Sequence, residues 1–111
     1  MIELVIKKYL DGRLSVPSFF ERPADPPKRY VLFEKTGSSK SNQLPSSTFA
    51  FQSYGPSMYE AAVLNEEVKM TVEELIILDE ISRVSLNSDY NYTDTTTKEY
   101  RYQAVFDINH Y

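Results

Sequence analysis

The sequence contains no cysteine and no tryptophan, a single histidine and only three glycines. Without cysteine there is no disulfide framework, no thiolate nucleophile and no thiolate-ligated zinc, so packing alone must hold the fold. With glycine confined to positions 12, 37 and 55, there is no phosphate-cradling loop of the dinucleotide or Walker type. His110 is the one imidazole. A Ser/His/Asp triad or a multi-histidine metal centre would have to be built around it at the end of the last strand-like segment, where a histidine also serves as an ordinary strand-end residue. No apolar run approaches the roughly 20 residues of a membrane span. The opening MIELVIKKYL interleaves charge with apolar residues, unlike a secretory leader, and implies a chain made and kept in a cytosol. Basic charge is also scarce: the net charge is −4 and the pI near 5.0, which argues against a phosphate-gripping nucleic-acid face. The pairs Lys7-Lys8 and Lys28-Arg29 read as a solvated helix end and a solvated loop.

Aromatic residues are what the chain does have. Nine Tyr and six Phe stand among 111 residues that are 41% hydrophobic and 25% charged, a globular composition of one-domain length. The stretch TFAFQSYGPSMYE, residues 48 to 60, carries four rings in thirteen positions. Such density fills a core or equips a binding surface, because Tyr combines contact area with a polar tip.

Periodicity divides the chain into elements. Ile2, Val5, Ile6, Tyr9 and Leu10 recur at helical spacing and predict a helix over 2–11, capped by Gly12. SVPSFF follows as a short strand that Pro17 confines to a sheet edge. The triple-proline stretch ERPADPPKR reads as a stiff connection. Residues 29–36, RYVLFEKT, predict a strand, and 37–47 a long polar loop leading to a partner strand over 48–54. That partner sets Phe49 and Phe51 on one face and Gln52 and Tyr54 on the other. Gly55-Pro56 breaks the strand, and Ser57 with Glu60 forms a capping-box spacing that opens a helix over 57–77. A second such spacing at Thr71 to Glu74 allows a kink or restart there. Its inward stripe runs through Ala61, Leu64, Val68, Val72 and Leu75, with Ile76 at its margin. Residues 81–88 predict a strand, 88–98 a polar loop, and EYRYQAVFDINHY a final strand. In that last strand Tyr100, Tyr102, Ala104, Phe106 and Ile108 oppose Arg101, Gln103, Asp107 and Asn109. The order α-β-β-β-α-β-β implies an α+β domain over residues 1–111, with two helices on one face of a mainly antiparallel sheet.

No constellation for catalysis emerges. The carboxylates at 60, 66, 67, 73 and 74 fall on the polar side of a helix and read as a solvated face. Asp89 and Asp94, beside Tyr90 and Tyr92, lack the alternation and glycine of a calcium loop. The expectation is therefore a protein that is not an enzyme and has no metal or cofactor. Two helices can cover only one side of the sheet, so rings on the other side or at the edges must meet water, loops or another subunit.

Three strings together, VPSFFERPADPPKRYVLFEKTGSSK, TFAFQSYGPSMYEAAVLNEEVK and YRYQAVFDINHY, resemble the tail terminator proteins of long-tailed bacteriophages, also called tail-completion or tail-to-head joining proteins. The likeness covers nearly the whole chain. Val31, Phe33, Glu34, Lys35, Thr36 and Gly37 match a strand of the type apolar-apolar-Glu-basic-Thr-Gly. Gln52, Glu60 and Ala61 match a strand-end Gln and a helix opening with Glu-Ala, and Tyr102, Gln103, Ala104 and Phe106 match the final strand. Ser38 departs from the pattern, standing where a second glycine is expected. The resemblance implies a virion protein, synthesised in the host bacterial cytoplasm, that forms a hexameric ring on the head-proximal end of the tail. It would stop polymerisation of the major tail tube protein and offer a docking surface to the head connector or stopper protein, while DNA passes through the lumen without specific binding. By that analogy the 37–47 and 88–98 loops contact tube or connector, and the strand edges contact neighbouring subunits. The candidate interface residues are Tyr54, Tyr59, Lys40, Asn42, Tyr90, Tyr92 and Asp94. The alternatives are another head-tail connector or stopper protein and a small α+β ligand-binding domain whose aromatic face forms a pocket.

Overall fold

The computed structural model describes residues 1–41 and 44–111. Helix α1 (Ile2–Arg13) leads to a two-residue strand β1 (Ser18–Phe19) and a long hairpin of β2 (Tyr30–Ser41) and β3 (Leu44–Gly55). Helix α2 (Met58–Glu73) follows and ends in a 3₁₀ turn, Glu74–Ile77, before the hairpin of β4 (Ile81–Asn91) and β5 (Tyr100–His110). The fold is α+β, in the element order the periodicity predicts. Its five strands form one mixed sheet in the order β1-β2-β3-β5-β4, in which β1 runs parallel to β2 and the other pairs are antiparallel. β1 lies at an edge, where Pro17 costs no ladder bond.

Both helices bury their apolar stripes against the same sheet face. Val31 and Phe33 of β2, Phe49 and Phe51 of β3, and Phe106 and Ile108 of β5 are all essentially inaccessible and belong to one cluster. Ile6 and Leu10 of α1 and Val68, Val72 and Leu75 close that cluster from above. Each such side chain removed from water contributes roughly 1.5–3 kcal/mol. The rings of Phe33, Phe49, Phe51 and Phe106 contact one another in tilted, stacked and edge-on pairs with centroids 5.6–6.4 Å apart, within the favourable range for aromatic contact.

The α2 start behaves as its capping box predicts. Ser57 Oγ accepts the Glu60 backbone N–H at 3.1 Å, and Glu60 sends its carboxylate to the Ser57 hydroxyl and to Arg29. Gly55 is required for close approach rather than for a special backbone angle: a Cβ there would lie 2.8 Å from the Ala61 nitrogen. Thr71 does not restart the helix. It is buried, and its hydroxyl donates back to the Glu67 carbonyl at 2.9 Å, so α-geometry persists to Glu73.

Three expectations are corrected. Gly12 is not a cap but lies inside α1, which runs to Arg13 and closes with the Leu14 N–H on the Leu10 carbonyl. The described part of 37–47 is not a loop. Gly37 pairs with Thr48 and Lys40 with Pro45, after a bulge that absorbs Thr36. Polar strand residues give no alternation of burial to read, yet their backbones pair once the register of the apolar half of the hairpin is set. For the same reason residues 88–91 extend β4 along β5, with Tyr90 opposite Gln103.

Candidate interaction surface

Alternate residues of the strands point away from the helices, and on that side of the sheet the register lines up an uninterrupted row. Tyr30 of β2 sits opposite Tyr54 of β3, and Tyr54 sits opposite Arg101 of β5. The two tyrosine rings stack at 4.5 Å with 6° between their planes. Phe19 of β1 meets Tyr30 edge-on at 6.0 Å. On the other flank the Arg101 guanidinium lies 4.6 Å from the Tyr92 ring and 5.7 Å from that of Tyr54, and Tyr92 meets Tyr90 edge-on at 5.9 Å. The row Phe19–Tyr30–Tyr54–Arg101–Tyr92–Tyr90 thus reaches from one edge of the sheet to the other.

Hydrogen bonds fix the row. Arg101 Nη1 donates to the Tyr54 hydroxyl at 3.1 Å and Arg101 Nε to the Tyr92 carbonyl at 2.8 Å. The Tyr54 hydroxyl donates in turn to Gln52 Oε1 at 3.1 Å. Gln52 Nε2 donates to Gln103 Oε1 at 2.8 Å, and Gln103 Nε2 donates to the Tyr90 hydroxyl. A more distal tier is held by Thr48 donating to Asp107 at 2.7 Å and Asn87 donating to the other carboxylate oxygen of Asp107 at 3.1 Å. Burial pushes the Tyr30 phenol above its ordinary range, with the nearby Arg22 opposing it.

The proline-rich segment covers one end of the row. Pro26, Pro27 and Lys28 line a shallow recess of about 200 Å³ together with Tyr30 and Tyr54, and Arg22 pairs with Glu99 across it. Beside this segment the candidate interface residue Tyr54 keeps only 6% of its surface exposed. Tyr90 and Tyr92 remain 42% and 43% exposed at the uncovered end.

The remaining candidate residues are dispersed. Asp94 lies in the β4–β5 turn, where its Oδ1 accepts the N–H groups of Thr96 at 3.0 Å and Thr97 at 3.4 Å, bonds that hold its carboxyl below the usual carboxylate range. Lys40 is exposed near the tip of the β2–β3 hairpin, at the opposite end from Tyr30 and Tyr54. Tyr59 is 77% exposed on the outer side of α2, away from the row. Asn42 lies outside the described residues. The structure therefore brings Tyr54, Tyr90 and Tyr92 together and leaves Tyr59, Lys40 and Asp94 apart from them.

Sequence reasoning missed Tyr30, Arg101 and the Gln52–Gln103 pair as members of this surface. The signal was present in the final strand, where Arg101 and Gln103 alternate with the core residues. Tyr30 enters only through the hairpin register.

Titratable groups elsewhere tie the elements together. Asp89 of β4 accepts from Asn65 at 2.7 Å and from Lys69 at 2.6 Å, tying α2 to the sheet edge. The hydrogen bond that Lys69 donates to Asp89, and after it the one to Glu66, hold the Lys69 ammonium above its ordinary range. Ser47 and His110 Nε2 lie 3.1 Å apart, with Ser47 buried beside Ile108 in the strand pairing. Among the described residues no group of three or more His, Cys, Asp or Glu side chains is placed to hold a metal ion, and no helix is long and apolar enough to cross a membrane. Comparison with protein families and with curated proteins found no match.

Proposed function

We propose that this chain is a self-assembling structural subunit of a phage tail: a terminator that forms a ring on the head-proximal end of the tail tube, stops tube growth and presents a docking face to the head connector. The resemblance of its sequence strings names the role. The observation that carries it is the aromatic and arginine row on the sheet face away from the helices, whose β4 end leaves Tyr90 and Tyr92 42% and 43% exposed. Tyr and Arg are the residue types that dominate binding energy at protein interfaces. At that end they are already held by the edge-on contact of Tyr90 with Tyr92, by the Arg101 guanidinium over Tyr92 and by the hydrogen bond from Gln103 to Tyr90, so a partner loses little side-chain entropy on docking.

The ring logic follows from the sheet. β1 covers only two positions of β2, so the edge of β2 beyond Leu32 is open, and β4 forms the opposite edge. Two unlike open edges on one molecule suit head-to-tail contacts, which close into a ring when the rotation permits. A net charge of −4 suits a passage through which DNA slides without being gripped.

Interrupting the reading frame in the phage or prophage that carries it tests the proposal. Filled heads separate from tails of abnormal length, seen by electron microscopy of lysates, are the expected result. Intact particles overturn a structural role in the virion. Empty or leaking heads beside tails of normal length transfer the chain to the connector or stopper class.

A further inference from the structure

The outer side of the helix layer carries two surfaces that complement each other. On α2, Tyr59, Val63 and Met70 recur along one stripe, exposed by 77%, 51% and 67%, and Ile77 at the end of the 3₁₀ extension is 64% exposed. Spacings of four and seven residues keep such positions on one side of a helix. The lower half of this stripe is acidic, with Glu73 and Glu74 exposed beside Met70 and Ile77. These carboxylates sit at the negative end of the helix dipole, and the last turn of α2 contains no basic residue, an arrangement unfavourable in the isolated chain and relieved by cations brought from outside.

Such cations stand on α1. A groove of about 540 Å³ runs along this helix, floored by Met1, Leu4 and Val5 and bordered by Lys8 and Arg13, with Glu80 also lining it. Leu4 is 58% exposed. The Arg13 guanidinium is held at the groove by stacking 5.1 Å from the Tyr9 ring, and neither Lys8 nor Arg13 forms an ion pair with a described residue.

We infer that the acidic-apolar end of α2 in one copy docks into the basic-apolar α1 groove of a second copy. Met70 and Ile77 meet Met1 and Leu4, while Glu73 and Glu74 meet Lys8 and Arg13. The occupant is a second copy because one chain supplies both halves, apolar against apolar and acid against base, and because the misplaced acids on α2 gain the compensation they lack. The inference rests on the self-assembly part of the proposed function and specifies which surfaces join the subunits.

A charge-swap cycle on the full-length chain tests it. Glu73→Lys with Glu74→Lys forms one variant, Lys8→Glu with Arg13→Glu a second, and all four changes a third. Association is read by sedimentation velocity and native mass spectrometry, with circular dichroism as the control for folding. Each two-site variant should weaken association at least about tenfold, as removal of close interfacial charge pairs does, and the four-site variant should recover it. Loss in the two-site variants without recovery in the four-site variant overturns the inference, as does association untouched by either pair or a wild-type chain that stays monomeric. A wild-type dimer broken and restored by the cycle supports the contact while overturning the ring. A ring indifferent to all three variants overturns the contact while leaving the ring reading in place.

Discussion

The two faces of the sheet are made from alternate residues of the same strands, and both are rich in rings. Under the helices Phe33, Phe49, Phe51 and Phe106 are fully buried and belong to one hydrophobic cluster. On the reverse face Tyr30, Tyr54, Tyr90 and Tyr92 alternate with Arg101 and the two glutamines, and their polar tips are joined to one another. The difference lies in the covering layer. A face roofed by helices excludes water and can use Phe, whereas a face without helices, covered at one end only by the proline-rich segment, must satisfy its polar atoms itself and so uses Tyr, Gln and Arg. Aromatic density therefore marks neither core nor surface until the far side of each strand is known.

The comparison breaks first at the core. Phe51→Ala should cost about 3–5 kcal/mol of unfolding free energy, read from urea denaturation, and a loss no larger than that of the open-face variants would erase the distinction between the faces. Gly55→Ala, at the junction where β3 turns over into α2, should cost about 1–3 kcal/mol because the added methyl has only backbone to displace. Arg101→Ala removes two ring contacts and two hydrogen bonds. It should cost about 1–2 kcal/mol and, more tellingly, change the near-ultraviolet dichroism of the tyrosines while the far-ultraviolet spectrum stays native. Tyr54→Phe keeps the stack but deletes the hydroxyl between Arg101 and Gln52, at a cost of about 1 kcal/mol. An effect as large as that of Phe51→Ala would mean that the open face is as tightly packed as the roofed one.

The smallest effect is a pH dependence on the helix side. Lys69 has its pKa raised above 10.5 by Asp89 and then Glu66. A raised folded-state value means that the stabilisation is complete below the unfolded pKa and is lost as pH climbs through the folded one. Denaturant midpoints of wild type should thus fall towards those of Asp89→Asn as pH rises above 10.5, and two parallel curves would remove Lys69 from the account. Asp94 runs the other way: its lowered value means that its contribution is present above 3.8 and fades as pH drops through the folded pKa.

The parts of this molecule that can be read from its sequence are those whose pattern arises within a few residues. The helix after Gly55-Pro56 opens where Ser57 and Glu60 stand three apart, and its buried stripe follows from 3.6-residue spacing. Phe49 and Phe51 alternate towards the core as Phe106 and Ile108 do, and the order of helices and strands follows from these signals. The polar ends of the hairpins carry no such signature. Ser38, Ser39 and Lys40 pair across to Ser47, Ser46 and Pro45 because the apolar half of each strand has already set the register.

Local grammar by itself determined the α+β class, the inward faces and the absence of a phosphate-binding glycine loop, since propensity, capping and period act over one or two turns. Tertiary structure alone decided that Tyr54 is shielded, that Tyr30 stacks on it and that Arg101 lies between Tyr54 and Tyr92. Tyr30 and Tyr54 are 24 positions apart in the chain, and Tyr54 and Arg101 are 47 apart. Only long-range strand pairing, with the proline-rich segment folded over its end, brings them into one row.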